Sequence, residues 1–133
     1  MRIPLIHSAA TVAVAAVLAA GCGGSGGGGG SSSAGSTPAN AQVVEIDVAQ
    51  SGLAFTKTTA TANAGTVELK SKNPQSLSHD ISIKGNGVDE QGNMVSSGGV
   101  STVTVDLKPG TYTFYCSVPG HEEAGMKGTL TVS

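Results

Sequence analysis

The chain has 133 residues, and about 40 at its start lack the pattern of folded protein, which leaves room for one small domain and excludes two. All nine acidic residues and six of the seven basic ones lie beyond residue 22, so that part carries a net charge of −3 with its histidines neutral, which argues against a nucleic-acid partner. With 20 Gly, no Trp, two Phe and two Tyr, a core must rest on Val, Ile and Leu, the composition of a small β domain and not of a helix bundle.

Residues 8–20, SAATVAVAAVLAA, form an apolar run too short to cross a bilayer stably and preceded by Arg2, which reads as a signal peptide over 1–21. Its end, Leu18-Ala19-Ala20-Gly21-Cys22, resembles the lipobox of bacterial lipoproteins, in which the cysteine is acylated and becomes the new N-terminus. The large aliphatic residue usual three places before the cysteine is displaced here, since Ala19 holds that place and Leu18 sits one earlier. The competing reading is ordinary secretory cleavage that leaves Cys22 as a free thiol, exposed to oxidation outside the cell. Residues 22–40 then comprise this cysteine and a Gly/Ser-rich linker that cannot offset the entropy of ordering itself. The 18 residues 23–40 have a typical random-coil reach of about 20 to 25 Å. A single arginine near the start omits the twin-arginine export signal, so the chain is expected to leave the cytoplasm unfolded and to take up any cofactor outside.

From residue 41 onward, apolar and polar residues alternate over short runs separated by Gly, Pro or Asn. The pattern predicts seven strands: 42–49 with Val44, Ile46 and Val48 inward, 53–57, 65–71, 79–84, 100–107, 110–116 and 127–133. No segment has a convincing helical period. Seven strands joined by turns such as Lys108-Pro109-Gly110 predict an all-β, two-sheet antiparallel Greek-key sandwich over 41–133, with Gly85 to Gly99 as a flexible loop or at most a short helix.

The chemistry gathers near the C-terminus, where Cys116-Ser-Val-Pro-Gly-His121-Glu-Glu-Ala-Gly-Met126 leaves one predicted strand and enters the last. A loop of this length can bring a thiolate, an imidazole and a thioether to one point, a donor set that suits copper because soft sulfur favours Cu(I) and imidazole accepts both oxidation states. The only other histidine beyond the signal-like stretch is His79, at the start of a predicted strand that can lie at the same end of a sandwich. Taken alone, Cys116 would be a small buried hydrophobe. Met126 alone would be core filler, and His79 alone a satisfied edge histidine. Met94 reads as filler or surface, and Glu122 and Glu123 as solvated loop carboxylates.

Together these residues give the domain a resemblance to the cupredoxins, the type 1 blue copper proteins of the plastocyanin and azurin family, across essentially all of 41–133. The family's Cys, spacer, His, spacer, Met motif stands here as CSVPGHEEAGM, with spacers of four and four that are most like the auracyanin branch. The resemblance implies one copper ion held by His79, Cys116, His121 and Met126. It also implies one-electron transfer without substrate chemistry, between redox-protein donors and acceptors, by a monomer. In that fold the loop histidine presents its ring edge within an apolar patch, to which Val118 and Pro119 would contribute here, while His79 would be more enclosed. The family usually places Asn after its first histidine, where this chain has Asp80.

Zinc is disfavoured by a thioether at ligand spacing, and a cysteine protease by the lack of a residue placed to orient a catalytic histidine. Copper storage or delivery is the runner-up, although it calls for Met- or His-rich exposed sites. A copper oxidase or nitrite reductase would need further histidines, and the chain has only two beyond residue 22. The protein is thus expected to be exported and anchored to a membrane by lipid on Cys22. Cys22→Ser should then move the full chain from the membrane fraction to the soluble fraction on ultracentrifugation; a native chain already soluble, or carrying a free thiol by mass, would remove the anchor.

Overall fold

A computed structural model describes residues 37–133; the signal-like segment, Cys22 and most of the linker lie outside the described residues. Eight strands and no helix are present among the described residues, and so no helix there is long and apolar enough to cross a membrane. The strands are β1 (Gln42–Glu45), β2 (Thr59–Ala62), β3 (Gly65–Lys72), β4 (Ser82–Gly85), β5 (Val88–Glu90), β6 (Val100–Leu107), β7 (Gly110–Tyr115) and β8 (Lys127–Val132). One sheet has the order β1-β3-β6 and the other β2-β8-β7-β4-β5. Their inward faces meet in one core that includes Ile46, Leu69, Ile81, Ile83, Phe114 and Leu130, all fully buried.

The all-β sandwich is the expected one, but its sheets are mixed where a purely antiparallel arrangement was expected. β1 pairs in parallel with β3, and β2 in parallel with β8. The chain runs up β1, crosses to β2 in the second sheet and returns to β3, and such a crossover is what lets two strands of one sheet point the same way.

Three predicted strands change by more than one residue. The first ends at Glu45, although Val44, Ile46 and Val48 all point inward as expected. Its later amides still donate to Lys70 and Lys72 carbonyls, but the Lys72 N–H turns to the Asp47 carboxylate at 2.9 Å and the ladder becomes one-sided. Residues 53–57 shrink to a single bridge between Phe55 and Val48. The strand expected at 79–84 begins at Ser82, because the Ile81 N–H is taken by the Ser101 hydroxyl of the opposite sheet at 3.0 Å and His79 bridges to Val95.

Two strands were missed. β2, Thr-Ala-Thr-Ala, alternates in size more than in polarity and offers little apolar signal. β5 lies inside the expected loop and pairs with β4 across Asn86-Gly87, both with positive φ (49° and 83°), the hairpin turn that an Asn-Gly pair favours.

β8 must pass close under Phe114, whose ring meets Phe55 edge-on with centroids 5.7 Å apart. Gly128 makes this possible, for a Cβ there would collide with both the Phe114 ring and the Thr58 carbonyl. That carbonyl accepts the Thr129 amide at 2.9 Å and cannot retreat without loosening the β2 edge. Gly128→Ala is therefore expected to lower stability by about 1–3 kcal/mol, the cost of overpacking a dense core, measured by urea unfolding. A change within about 0.5 kcal/mol, as for an ordinary surface site, would show that the strand relaxes freely.

Candidate metal centre

The two ends of the 116–126 loop are stitched together before any side chain is considered. The Cys116 amide donates to the Met126 carbonyl at 3.1 Å, and the Met126 amide to the His121 carbonyl at 3.0 Å. A turn from Val118 to His121 (3.0 Å) and Gly120 and Gly125 at positive φ fold the loop back over the end of the sandwich. The loop thus places Cys116 at the end of β7, Met126 at the start of β8 and His121 between them.

His79 reaches the same end by another route. Its backbone exchanges two hydrogen bonds with Val95, each 2.9 Å. The buried Asn73 secures both segments: its Nδ2 donates to the Leu77 and Val95 carbonyls (2.7 and 2.8 Å), and its Oδ1 accepts the Gln75 amide at 2.9 Å. His79 is thus held both by its own pairing with Val95 and by the turn that Asn73 secures before it.

The result is a buried cluster of one thiol and two imidazoles, with one potential ligand atom from each residue lying within 4.8 Å of the others. Cys116 Sγ is 3.8 Å from His79 Nδ1 and 3.5 Å from His121 Nδ1, and the two rings are 4.9 Å apart between centroids. Two donors bonded to one ion at about 2.1 and 2.3 Å, with an angle of about 105–120°, lie about 3.5–3.8 Å apart. The separations seen are those of donors that share a metal, and two imidazoles with a thiolate in one plane suit copper. Met126 is fully buried beside this cluster through its backbone bonds to Cys116 and His121.

The environment is dry. Burial lowers the pKa of His79, and the neighbouring His121 lowers it further, against a smaller opposing effect of Asp80. Burial likewise pushes the Cys116 thiol upward, despite backbone hydrogen bonds that favour the thiolate. Without a cation the cluster therefore rests as a neutral thiol and a neutral His79, and binding a metal must release the thiol proton. His79 Nε2 is buried without a hydrogen-bond partner.

Asp80, noted in the sequence only as a departure from the usual Asn, proves to be buried and to join the two ligand-bearing segments. Its Oδ1 accepts the Ser117 amide at 2.6 Å, and its Oδ2 accepts the Ser117 and Ser82 hydroxyls, the latter at 3.0 Å. Sequence reasoning missed Asn73, whose only signal was a turn-rich Asn-Pro pair. Glu122, expected to be simply solvated, pairs with Lys84 at 2.6 Å, and Lys84 lies 4.4 Å above the centre of the Tyr115 ring. Glu123 and Met94 are exposed as expected. Cys22 lies outside the described residues.

Comparison with known proteins agrees with this geometry. The model of a family described as copper binding proteins, plastocyanin/azurin family, matches residues 42–133. Auracyanin-B of Chloroflexus aurantiacus is 32% identical over 124 residues, a match covering 70% of this chain and 53% of that protein, so the chain spans about half the length of this relative. Among solved structures, auracyanin B superposes with a TM-score of 0.62 at 31% identity, covering 74% of this chain and 91% of that one. Auracyanin A of Chloroflexus aurantiacus, described as a "blue" copper protein, gives 0.61 at 26% identity over 70% and 99%. Amicyanin, at 16% identity, 68% and 82% coverage and a TM-score of 0.52, shares the fold.

The two pKa directions at the cluster add an acid and an alkaline contribution to the pH dependence of the metal-free domain. His79 is protonated less readily folded than unfolded, so stability is full above its ordinary value of 6.5 and falls as pH drops below it. Cys116 ionises less readily when folded, so stability falls again as pH rises above the thiol's ordinary value of 9.0. Urea unfolding of the metal-free domain across pH should therefore show a plateau between these limits, and Cys116→Ser should make the decline between pH 9 and 10 shallower without changing the acid side, the raised Tyr115 and Lys84 acting only at higher pH. An alkaline limb unchanged by that substitution would mean that another group governs it.

Proposed function

Because the chain belongs to the plastocyanin/azurin family of copper-binding proteins, we propose that it is a one-electron carrier, exported and held at a membrane by a lipid on Cys22. The observation that carries this reading is the buried convergence of Cys116, His79 and His121, with Met126 buried beside them, where its thioether would add a soft donor to a bound copper ion. When bound, copper supplies a single-electron Cu(II)/Cu(I) couple; the protein's task is to keep the donors where either state accepts them. Backbone bonds among Cys116, His121 and Met126 fix the loop, and the Val95 pairing fixes His79. Little then has to move when the charge of the centre changes.

The cleft nearest the loop, bordered by Cys116, Pro119 and Glu123, holds about 70 Å³. That is room for a few waters and not for an organic substrate, which fits a carrier better than an enzyme. His79 is wholly enclosed whereas His121 keeps 8% of its surface exposed. His121 is therefore the natural port for the electron, beside the half-buried Val118 and the exposed Pro119. A redox protein would dock against that apolar edge.

The copper-loaded domain should show the intense visible thiolate-to-Cu(II) band and narrow copper hyperfine splitting of a type 1 centre, and Cys116→Ser should abolish both. A colourless Cu(II) complex with an ordinary tetragonal spectrum would overturn the assignment. Val118→Lys should slow electron exchange with a redox partner in stopped-flow experiments and leave the band intact, since it disturbs docking and not coordination. Copper content before and after mixing separates a carrier from a delivery protein: retention with a changed redox state supports the carrier, and stoichiometric transfer of copper overturns it.

A further inference from the structure

Asp80 is fully buried at the metal-binding end, one residue from His79 and hydrogen-bonded to the residue after Cys116. The polar groups around its carboxylate can all donate to it. The Ser117 amide reaches Oδ1 at 2.6 Å, and the Ser117 hydroxyl reaches Oδ2. The Ser82 hydroxyl also reaches Oδ2, at 3.0 Å, and Ser82 Oγ in turn accepts the Gly92 amide at 3.3 Å. One backbone N–H and two hydroxyls free to donate surround the side chain, a lining that suits a carboxylate acceptor. Among the described residues no lysine or arginine forms an ion pair with it; the ion pair there joins Lys84 to Glu122.

From this arrangement we infer that Asp80 holds a fixed negative charge against the centre and so lowers its reduction potential, acting as a positioning residue that also sets the poise of the carrier. The physical reason is the sign of the charge change. Reduction removes one unit of positive charge from the centre, so a nearby anion stabilises the oxidised state more than the reduced one. Burial makes the effect large, because water and salt screen it little. The hydrogen bonds from Ser82 and Ser117 temper the charge, and that gives a second handle on the same quantity.

This inference rests on the carrier reading, and redox titration of copper-loaded wild type and variants tests it, with the blue band followed throughout. Asp80→Asn keeps the shape and the acceptor for the Ser117 amide and removes the charge. At the wild-type midpoint it should shift the equilibrium at least about tenfold toward the reduced form, or about 59 mV for a one-electron couple. Ser82→Ala removes one donor while keeping the charge, and should shift the potential the opposite way. Glu123→Gln removes an equal charge from the exposed surface of the loop, where solvent screens it, and should shift the equilibrium by less than about twofold. A side chain that served only as a brace would instead move Asp80→Asn and Ser82→Ala in the same direction.

Opposite shifts establish the assignment; an unshifted or lowered potential in a blue Asp80→Asn variant overturns it and leaves the carrier reading intact. If Asp80→Asn fails to hold copper, Ser82→Ala decides: a fall supports the inference and a rise or no change overturns it. Absence of the blue band from the wild type itself would overturn the carrier reading and this inference together.

Discussion

The structure depends on keeping a thiol and two imidazoles together in a place where neither water nor charge would assemble them. Each loses hydration on burial, and the shifts of Cys116 and His79 away from their charged forms measure that discomfort. A flexible chain would release it by letting one group turn out to solvent. Here none can turn out, because each is fixed by backbone bonds that are themselves satisfied. The cluster is tolerated because the sandwich beneath it is rigid, and a metal is what converts the unfavourable crowding into bonds.

That rigidity is assembled from both sheets. Ile81 gives its amide to Ser101 across the core, which draws the segment carrying His79 out of its own sheet and toward the other. Asn73 then locks the preceding turn to Val95, and Asp80 ties the same segment to Ser117. These are long-range bonds between short side chains, costly to leave half-made in a dry interior. They therefore tend to form together, and they make the position of His79 a property of the whole fold instead of one loop.

What could be read from the residues follows the same division. Where burial sets the pattern, as at Val44, Ile46 and Val48, alternation placed the inward face correctly even though the strand ended early. The Cys116, His121 and Met126 loop was legible because its spacing and its flanking strands lie together in the chain. His79 was legible by elimination, as the one remaining imidazole. Parallel pairing was not legible, since β1 and β3 alternate in the same way whichever direction they run. Nor were the side-chain bonds that interrupt ladders, such as Asp47 to Lys72 and Ser101 to Ile81, because they depend on partners 20 or more residues away. The β4–β5 turn was legible in Asn86-Gly87, a local signal outweighed by the many glycines around it.

The two imidazoles divide the work of the site. His79 is wholly buried and paired through its backbone to Val95, and its Nε2 has no hydrogen-bond partner, so it offers Nδ1 to the cluster and nothing to the outside. His121 sits on a loop whose neighbour Glu122 is held by Lys84 against the Tyr115 ring, at the surface and open to solvent. An exposed pair of this kind adds little stability. Its value is directional, since it anchors the outer edge of the loop without closing over the ring. One side of the centre is thereby sealed and the other kept at the surface, the asymmetry that the proposed carrier role would use and that a site for holding metal alone would not need.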